Sequence, residues 1–158
     1  MQVMEPQEIL EKLADRPLRV FEEGDVVLSA GSRTGRLLFL EHGAVDIVVD
    51  DVEVARISEP GAVFGDVALL LDQPHKADVR AVQPSSFHVV EDGEAFLDAE
   101  PGVLLYIAKV LARRLDAVNH LLIEGRSRSA EADLRGGFFA EMYQRISRAL
   151  QIRVPREP

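Results

Sequence analysis

Short runs of hydrophobic residues with polar breaks fill the middle of the chain, from Leu18 to Val90, and this texture predicts β-strands. Turn signals separate the runs, and the acidic pair Asp50-Asp51 predicts a two-residue hairpin turn. Strands at such close spacing favour an antiparallel sandwich or jelly roll over βαβ units. The six runs are VVLS at 26–29, LLFL at 37–40, AVDIVV at 44–49, EVARI at 53–57, ADVRAV at 77–82 and SFHVV at 86–90.

Helical spacing of apolar residues flanks this strand region on both sides. Ile9, Leu10 and Leu13 predict a short amphipathic helix before Pro17, and the segment EAFLDAE at 94–100 predicts another short helix. Residues 103–124 predict a long helix that Gly125 ends. The remaining residues, 126–158, carry a further amphipathic pattern around 138–150 and predict a helical extension.

The long predicted helix carries a regular apolar seam. Its spacing of 4, 3, 4, 3 and 4 residues is typical of helices that pack on one another. We therefore expect a homodimer through the seam, and packing within one chain is the alternative. The seam consists of Leu104, Ala108, Leu111, Leu115, Val118 and Leu122.

The segment FGDVALLLD at 64–72 interrupts the strand pattern, because its apolar residues stand in one block after Gly65. The block predicts one or two helical turns over 66–71, with Asp66 in the first turn, where a carboxylate complements the helix dipole. Glycine allows the backbone to approach a ligand closely. The first amides of a helix lack partners within it, so the N–H groups of Asp66, Val67 and Ala68 are expected to converge on an anion.

Three segments resemble the cyclic nucleotide-binding domain of the catabolite-activator and protein-kinase regulatory-subunit superfamily: LFLEHGAVDIVV at 38–49, ISEPGAVFGDVALLLDQPHKADVRA at 57–81 and LARRLD at 111–116. The resemblance covers roughly Leu18 to Leu122. It implies a mainly β fold with flanking helices, namely an antiparallel, jelly-roll-like β-roll with a long C-terminal helix, over residues 1–125. It also implies a regulatory domain without enzymatic activity, whose ligand is cyclic AMP or cyclic GMP.

The resemblance makes the segment at 57–81 a phosphate-binding cassette. In the family, a carboxylate at the place of Asp66 holds the ribose 2′-hydroxyl, and an arginine at the place of His75 forks onto the phosphate. The implied ligand-binding residues are Gly65, Asp66, Val67, Ala68, His75, Lys76, Ala77 and Asp78.

This cassette departs from the family at three places. A histidine is largely neutral at pH 7 and lacks the bidentate fork of the family's arginine. Asp78 replaces a small or hydroxylated residue and would repel a phosphate, and Asp66 is one methylene shorter than the family's glutamate. Two compensations stay open: Lys76 supplies the missing charge, or His75 pairs with Asp66 or Asp78 and closes the site. We therefore expect weak or altered nucleotide binding and no other cofactor.

Composition limits the classes of partner that the chain is expected to bind. The 158 residues carry a net charge of −9 with a pI near 4.9, which argues against a nucleic-acid or anionic-membrane surface. The 33 residues after Gly125 are too few for a winged helix-turn-helix, so we expect no DNA binding. The absence of cysteines and of a signal-peptide pattern favours a cytoplasmic location. The longest apolar runs are too short to span a bilayer.

Two alternatives to a nucleotide sensor remain. One is a ligand-free dimeric interaction module that keeps the fold and serves an unknown downstream protein. The other, more distant, is a metal-dependent cupin-like enzyme. The spacing of the histidines disfavours the enzyme, because His42, His75, His88 and His120 stand apart without a His-x-His pair.

Overall fold

A computed structural model of the chain describes residues 1–132, with side chains up to Gly125, so the predicted helix around 138–150 lies outside the described residues. The chain divides into two compact units, Met1–Lys109 and Val110–Pro158. The described helices are α1 (Pro6–Lys12), α2 (Asp66–Leu70), α3 (Gly93–Ala99) and α4 (Pro101–Ala132). The described strands are β1 (Leu18–Phe21), β2 (Val26–Leu28), β3 (Leu37–His42), β4 (Val45–Val49), β5 (Val52–Ile57), β6 (Val63–Phe64), β7 (Asp78–Ala81) and β8 (Ser85–Val90).

The strands form two four-stranded antiparallel sheets, in the orders β1-β8-β3-β6 and β2-β7-β4-β5. Both sheets contribute side chains to one hydrophobic core, in which Phe87 meets Phe21 and Phe64 edge to face at centroid distances of 5.6 and 5.8 Å. The predicted antiparallel β-roll is therefore confirmed. The buried core cluster comprises Leu28, Leu38, Leu40, Val45, Phe64, Val79, Phe87 and Val89.

The predicted hairpin turn joins β4 to β5. Asp50 and Asp51 have φ angles of 49° and 62°, and Val49 pairs with Val52. Two successive positive φ angles give the turn the twist that neighbouring strands need, and aspartate tolerates this region better than most residues. The acidic pair thus sets the register of the hairpin.

Two strands were not among the six predicted runs. β1 lies at the edge of its sheet and pairs only with β8, and its largely exposed side chains, including Leu18 and Val20, lack an alternating pattern of burial. β6 is two residues long and exists through its pairing with β3. Pairing with strands that are distant in the sequence, rather than local periodicity, determines where β1 and β6 form.

The long helix α4 begins and ends outside its predicted bounds of 103–124. Pro101 opens it, because the fixed φ of proline suits the first helical turn. The prediction that Gly125 ends the helix is wrong, since the helix continues to Ala132. An internal glycine costs about 1 kcal/mol relative to alanine, which a helix of 32 residues tolerates.

Most of the α4 seam is exposed in the part of the chain that the structure describes. Leu104, Leu115 and Val118 are 40%, 44% and 37% exposed. Ala108 is also exposed, and Leu111 and Leu122 are half-buried. The homodimer stays a prediction. In the described part of the chain, no helix is both long enough and apolar enough to cross a membrane.

Candidate functional site

Gly65 joins β6 to α2 in a conformation that only glycine adopts easily. Its φ is +87°, in the left-handed region. A Cβ at this position would overlap the backbone carbonyl oxygen of Arg36 and would lie 3.5 Å from Cε1 of His75. The cassette therefore lies directly against the loop at 29–36, which connects β2 to β3, at Gly65.

A cleft of about 600 Å³ opens between this loop, the cassette and α3. That volume is within the range of about 300–1,000 Å³ that is typical of small-molecule sites. All of its walls belong to the unit Met1–Lys109. The lining residues are Arg33, Thr34, Gly35, Gly65, Ala68, Leu69, Leu70, Asp72, Gln73, His75, Glu94, Leu97, Asp98 and Leu104.

Three of the implied ligand-binding residues, Gly65, Ala68 and His75, line the cleft. The other five lie outside its lining. Asp66 is buried, with 3% of its surface exposed, while Val67 and Lys76 face solvent and Ala77 and Asp78 are half-buried. Leu104, which the sequence assigns to the seam of the long helix, also forms part of the cleft wall.

His75 is tied to the loop at 29–36. It is 7% exposed, its Nε2 lies 2.8 Å from the hydroxyl of Thr34, and its backbone N–H donates to the carbonyl of Ser32 at 2.9 Å. Burial lowers the pKa of His75, because a charged imidazole loses hydration there. An imidazole whose neutral form is favoured, bonded to a hydroxyl, thus occupies the position at which the resemblance implies an arginine. The ring of His75 contacts Thr34, whereas the carboxylate of Asp78 bonds Ala30 and Arg80; the pairing of His75 with Asp66 stays a prediction.

Asp78 has partners of its own at the start of β7. Its Oδ1 accepts from the backbone N–H of Ala30 at 2.7 Å, and its Oδ2 accepts from the guanidinium of Arg80 at 3.0 Å. The Ala30 amide and then Arg80 hold the pKa of this carboxyl below its usual value. The ionised carboxylate therefore anchors the loop at 29–36 to β7, and Asp78 is not among the residues that line the cleft.

Reasoning from the sequence missed three charged residues of the cleft wall, namely Arg33, Glu94 and Asp98. An Nη atom of Arg33 donates to Oδ1 of Asp72 at 3.0 Å and to the backbone carbonyl of Asp72 at 3.2 Å. Glu94 and Asp98, four residues apart on α3, add two carboxylates to the lining. Only turn signals mark the sequence between the runs at 26–29 and 37–40, and the acids of α3 have the spacing of a solvated helix face. The described residues contain no group of three His, Asp or Glu placed as metal ligands.

A two-sheet β-roll with a glycine-led helical insert and a long C-terminal helix defines a class of nucleotide-binding regulatory folds. The chain belongs to the cyclic nucleotide-binding domain family, whose sequence model matches residues 18–99. The resemblance to this family is thereby confirmed, and the match includes the segments at 38–49 and 57–81.

Relatives and a solved structure agree with this assignment. Acetyltransferase Pat of Mycolicibacterium smegmatis is 33% identical over 115 residues, which are 68% of this chain and 34% of that protein. The Pycsar effector protein XpPycTIR of Xanthomonas perforans is 33% identical over 126 residues, which are 75% of this chain and 41% of that protein. The chain thus spans about a third to two fifths of the length of these relatives. The catabolite activator protein of Thermus thermophilus matches with a TM-score of 0.61 and 25% identity, over 84% of this chain and 67% of that one.

Proposed function

We propose that the chain is a regulatory sensor domain whose cassette binds a 3′,5′-cyclic nucleotide weakly or with an altered preference. The observation that carries the proposal is the burial and hydrogen bonding of His75. It stands where the family has a phosphate-binding arginine, yet it is buried, its pKa is lowered and its ring is bonded to Thr34. The fold and the position of Gly65 support retention of the cassette, and the neutral ring supports a loss of affinity.

The size of that loss follows from the missing guanidinium. A hydrogen bond to a charged group contributes about 1.5–3 kcal/mol, and every 1.4 kcal/mol is a factor of ten in the dissociation constant. Replacement of the arginine by a neutral histidine therefore weakens binding by about ten- to hundredfold relative to a complete cassette. Lys76 offers little compensation, because it faces solvent and does not line the cleft.

The domain's output is proposed to be regulatory rather than catalytic. Pat and XpPycTIR are longer proteins of which the matched region is only a part, which supports a domain that controls another activity. In this proposal, ligand binding at the cassette repositions α4 and changes the seam of a homodimer. The downstream protein, the absence of DNA binding and a cytoplasmic location belong to the same proposal. The acidic cleft wall favours, as the second candidate, a dimeric interaction module that binds no nucleotide.

Titration calorimetry with cyclic AMP and cyclic GMP tests the proposal. We expect dissociation constants in the micromolar range or weaker for the wild type, and at least tenfold tighter binding for His75→Arg. His42→Arg is the matched control, since it makes the same change at an exposed position that does not line the cleft, and its affinity should equal that of the wild type. Sub-micromolar binding by the wild type would contradict the weakened cassette. An absence of binding by both the wild type and His75→Arg would favour the ligand-free module.

A further inference from the structure

The charges around the cleft present a problem for an anionic ligand. Three acidic residues, Asp72, Glu94 and Asp98, are among the residues that line the cleft. His75 adds no charge near neutral pH, because burial lowers its pKa. A cyclic nucleotide carries one negative charge, so this wall repels it unless a cation faces the phosphate. Among the lining residues, Arg33 is the only lysine or arginine.

Arg33 lies close to the position of the missing cassette arginine. It precedes Thr34, whose hydroxyl contacts His75 at 2.8 Å, and it lines the same cleft as Gly65 and Ala68. The loop at 29–36 therefore brings a guanidinium to the cassette from a different part of the chain. Guanidinium is also the group best suited to a phosphate, because its planar fork forms two parallel hydrogen bonds.

In this structure, the guanidinium of Arg33 is held by Asp72. One Nη atom bonds both the carboxylate and the backbone carbonyl of Asp72, at 3.0 and 3.2 Å. The side chains of Arg33 and Asp72 are 59% and 98% exposed. Ion pairs between such exposed groups are weak, because water and salt screen them and the side chains lose freedom when they pair. A phosphate in the cleft thus competes with a weakly held carboxylate.

We propose that Arg33 is the phosphate-binding residue of this cleft and compensates in part for the family's cassette arginine, since Asp72 holds its guanidinium until a cyclic nucleotide displaces the carboxylate. This inference rests on the proposed nucleotide binding and adds the residue that makes it possible. The ion pair between Arg33 and Asp72 also joins the loop at 29–36 to the segment just after α2. Exchange of partners by Arg33 therefore breaks this link between the loop and the cassette when ligand binds.

Substitutions at the two residues have opposite expected effects on affinity. Arg33→Gln removes the cation and should weaken cyclic nucleotide binding by about ten- to hundredfold. Arg33→Lys keeps the charge without the fork and should give an intermediate loss. Asp72→Asn weakens the hold on Arg33, because only neutral acceptors remain at residue 72, and it removes a negative charge, so it should tighten binding severalfold. Asparagine is the appropriate replacement because Asp72 has a φ of 49°, a left-handed conformation that asparagine also adopts.

Glu94→Gln is the matched control for charge. It removes one carboxylate from the same cleft wall but leaves the bond between Arg33 and Asp72 in place. We expect a smaller gain from Glu94→Gln than from Asp72→Asn. In the Arg33→Gln background, the gain from Asp72→Asn should shrink to that of Glu94→Gln, because no guanidinium remains to be released.

The experiment is calorimetry with cyclic AMP and cyclic GMP on the full chain and these variants, with thermal unfolding as a check that each variant is folded. If the wild type binds and Arg33→Gln binds equally well, the role of Arg33 is overturned while the proposed function stands. If Asp72→Asn gains as much affinity in the Arg33→Gln background as in the wild type, the competition by Asp72 is overturned. If neither the wild type nor Asp72→Asn binds at millimolar nucleotide, the proposed function itself fails.

Discussion

Gly65→Ala tests whether the close contact between Gly65 and the loop at 29–36 fixes the position of the cassette. The substitution adds a single methyl group at a position with a φ of +87°. That methyl group meets the backbone carbonyl oxygen of Arg36, which belongs to the loop and is not the flexible end of a side chain. Either the cassette or the loop has to move.

The expected loss of stability in Gly65→Ala has two parts. An alanine in the left-handed region costs about 1–2 kcal/mol relative to its preferred conformations. Extra atoms in a well-packed site typically cost about 1–3 kcal/mol more. The free energy of unfolding should therefore fall by about 2–5 kcal/mol, a large share of the roughly 5–15 kcal/mol that stabilises a typical domain.

Gly24→Ala separates the two parts. Gly24 has nearly the same φ, +89°, but a Cβ there would meet no atom within 4 Å. The control should therefore lose only the conformational part, about 1–2 kcal/mol. Urea unfolding followed by far-ultraviolet circular dichroism measures both variants, and nucleotide titration of the folded proteins measures any shift of the cassette. We expect lost affinity for Gly65→Ala and unchanged affinity for Gly24→Ala.

Equal losses of stability in the two alanine variants, together with equal nucleotide affinities, would refute this reasoning. The carbonyl of Arg36 would then yield to a methyl group without cost. In that case the close approach of loop and cassette would not hold Gly65 in place, and the geometry of the cleft would be adjustable rather than set by the fold.

Two further predictions concern pH and assembly. Because burial lowers the pKa of His75, the unfolded chain takes up this proton first as the pH falls, so the contribution of His75 to stability is complete above the unfolded pKa of about 6.5 and declines below it. Urea midpoints between pH 7.5 and 5.5 should fall less steeply for His75→Gln than for the wild type, and parallel curves would contradict the assignment. The double substitution Leu111→Lys and Leu115→Lys should convert a dimer to monomers by light scattering, since it places two charges in the seam; an unchanged mass would remove the proposed dimer.

Several features of the fold were determined by residues close together in the sequence. The aspartates at 50 and 51 tolerate positive φ angles, so they specify the hairpin between β4 and β5 without help from the rest of the chain. The glycine followed by an apolar block specified the short helix of the cassette, which forms at Asp66–Leu70. These signals are local conformational preferences, and the order of residues records them directly.

The remaining features of the fold and of the site were decided by contacts between residues that are distant in the sequence. β6 has two residues and exists because it pairs with β3. Thr34 and His75 are 41 positions apart, and Arg33 and Asp72 are 39 apart, yet both pairs meet at one cleft. The helix α4 runs through Gly125, although glycine commonly ends helices. Local periodicity carries no information on which loop faces which helix, because the packing of the two sheets sets those distances, so only the tertiary structure revealed the charged wall beside the cassette.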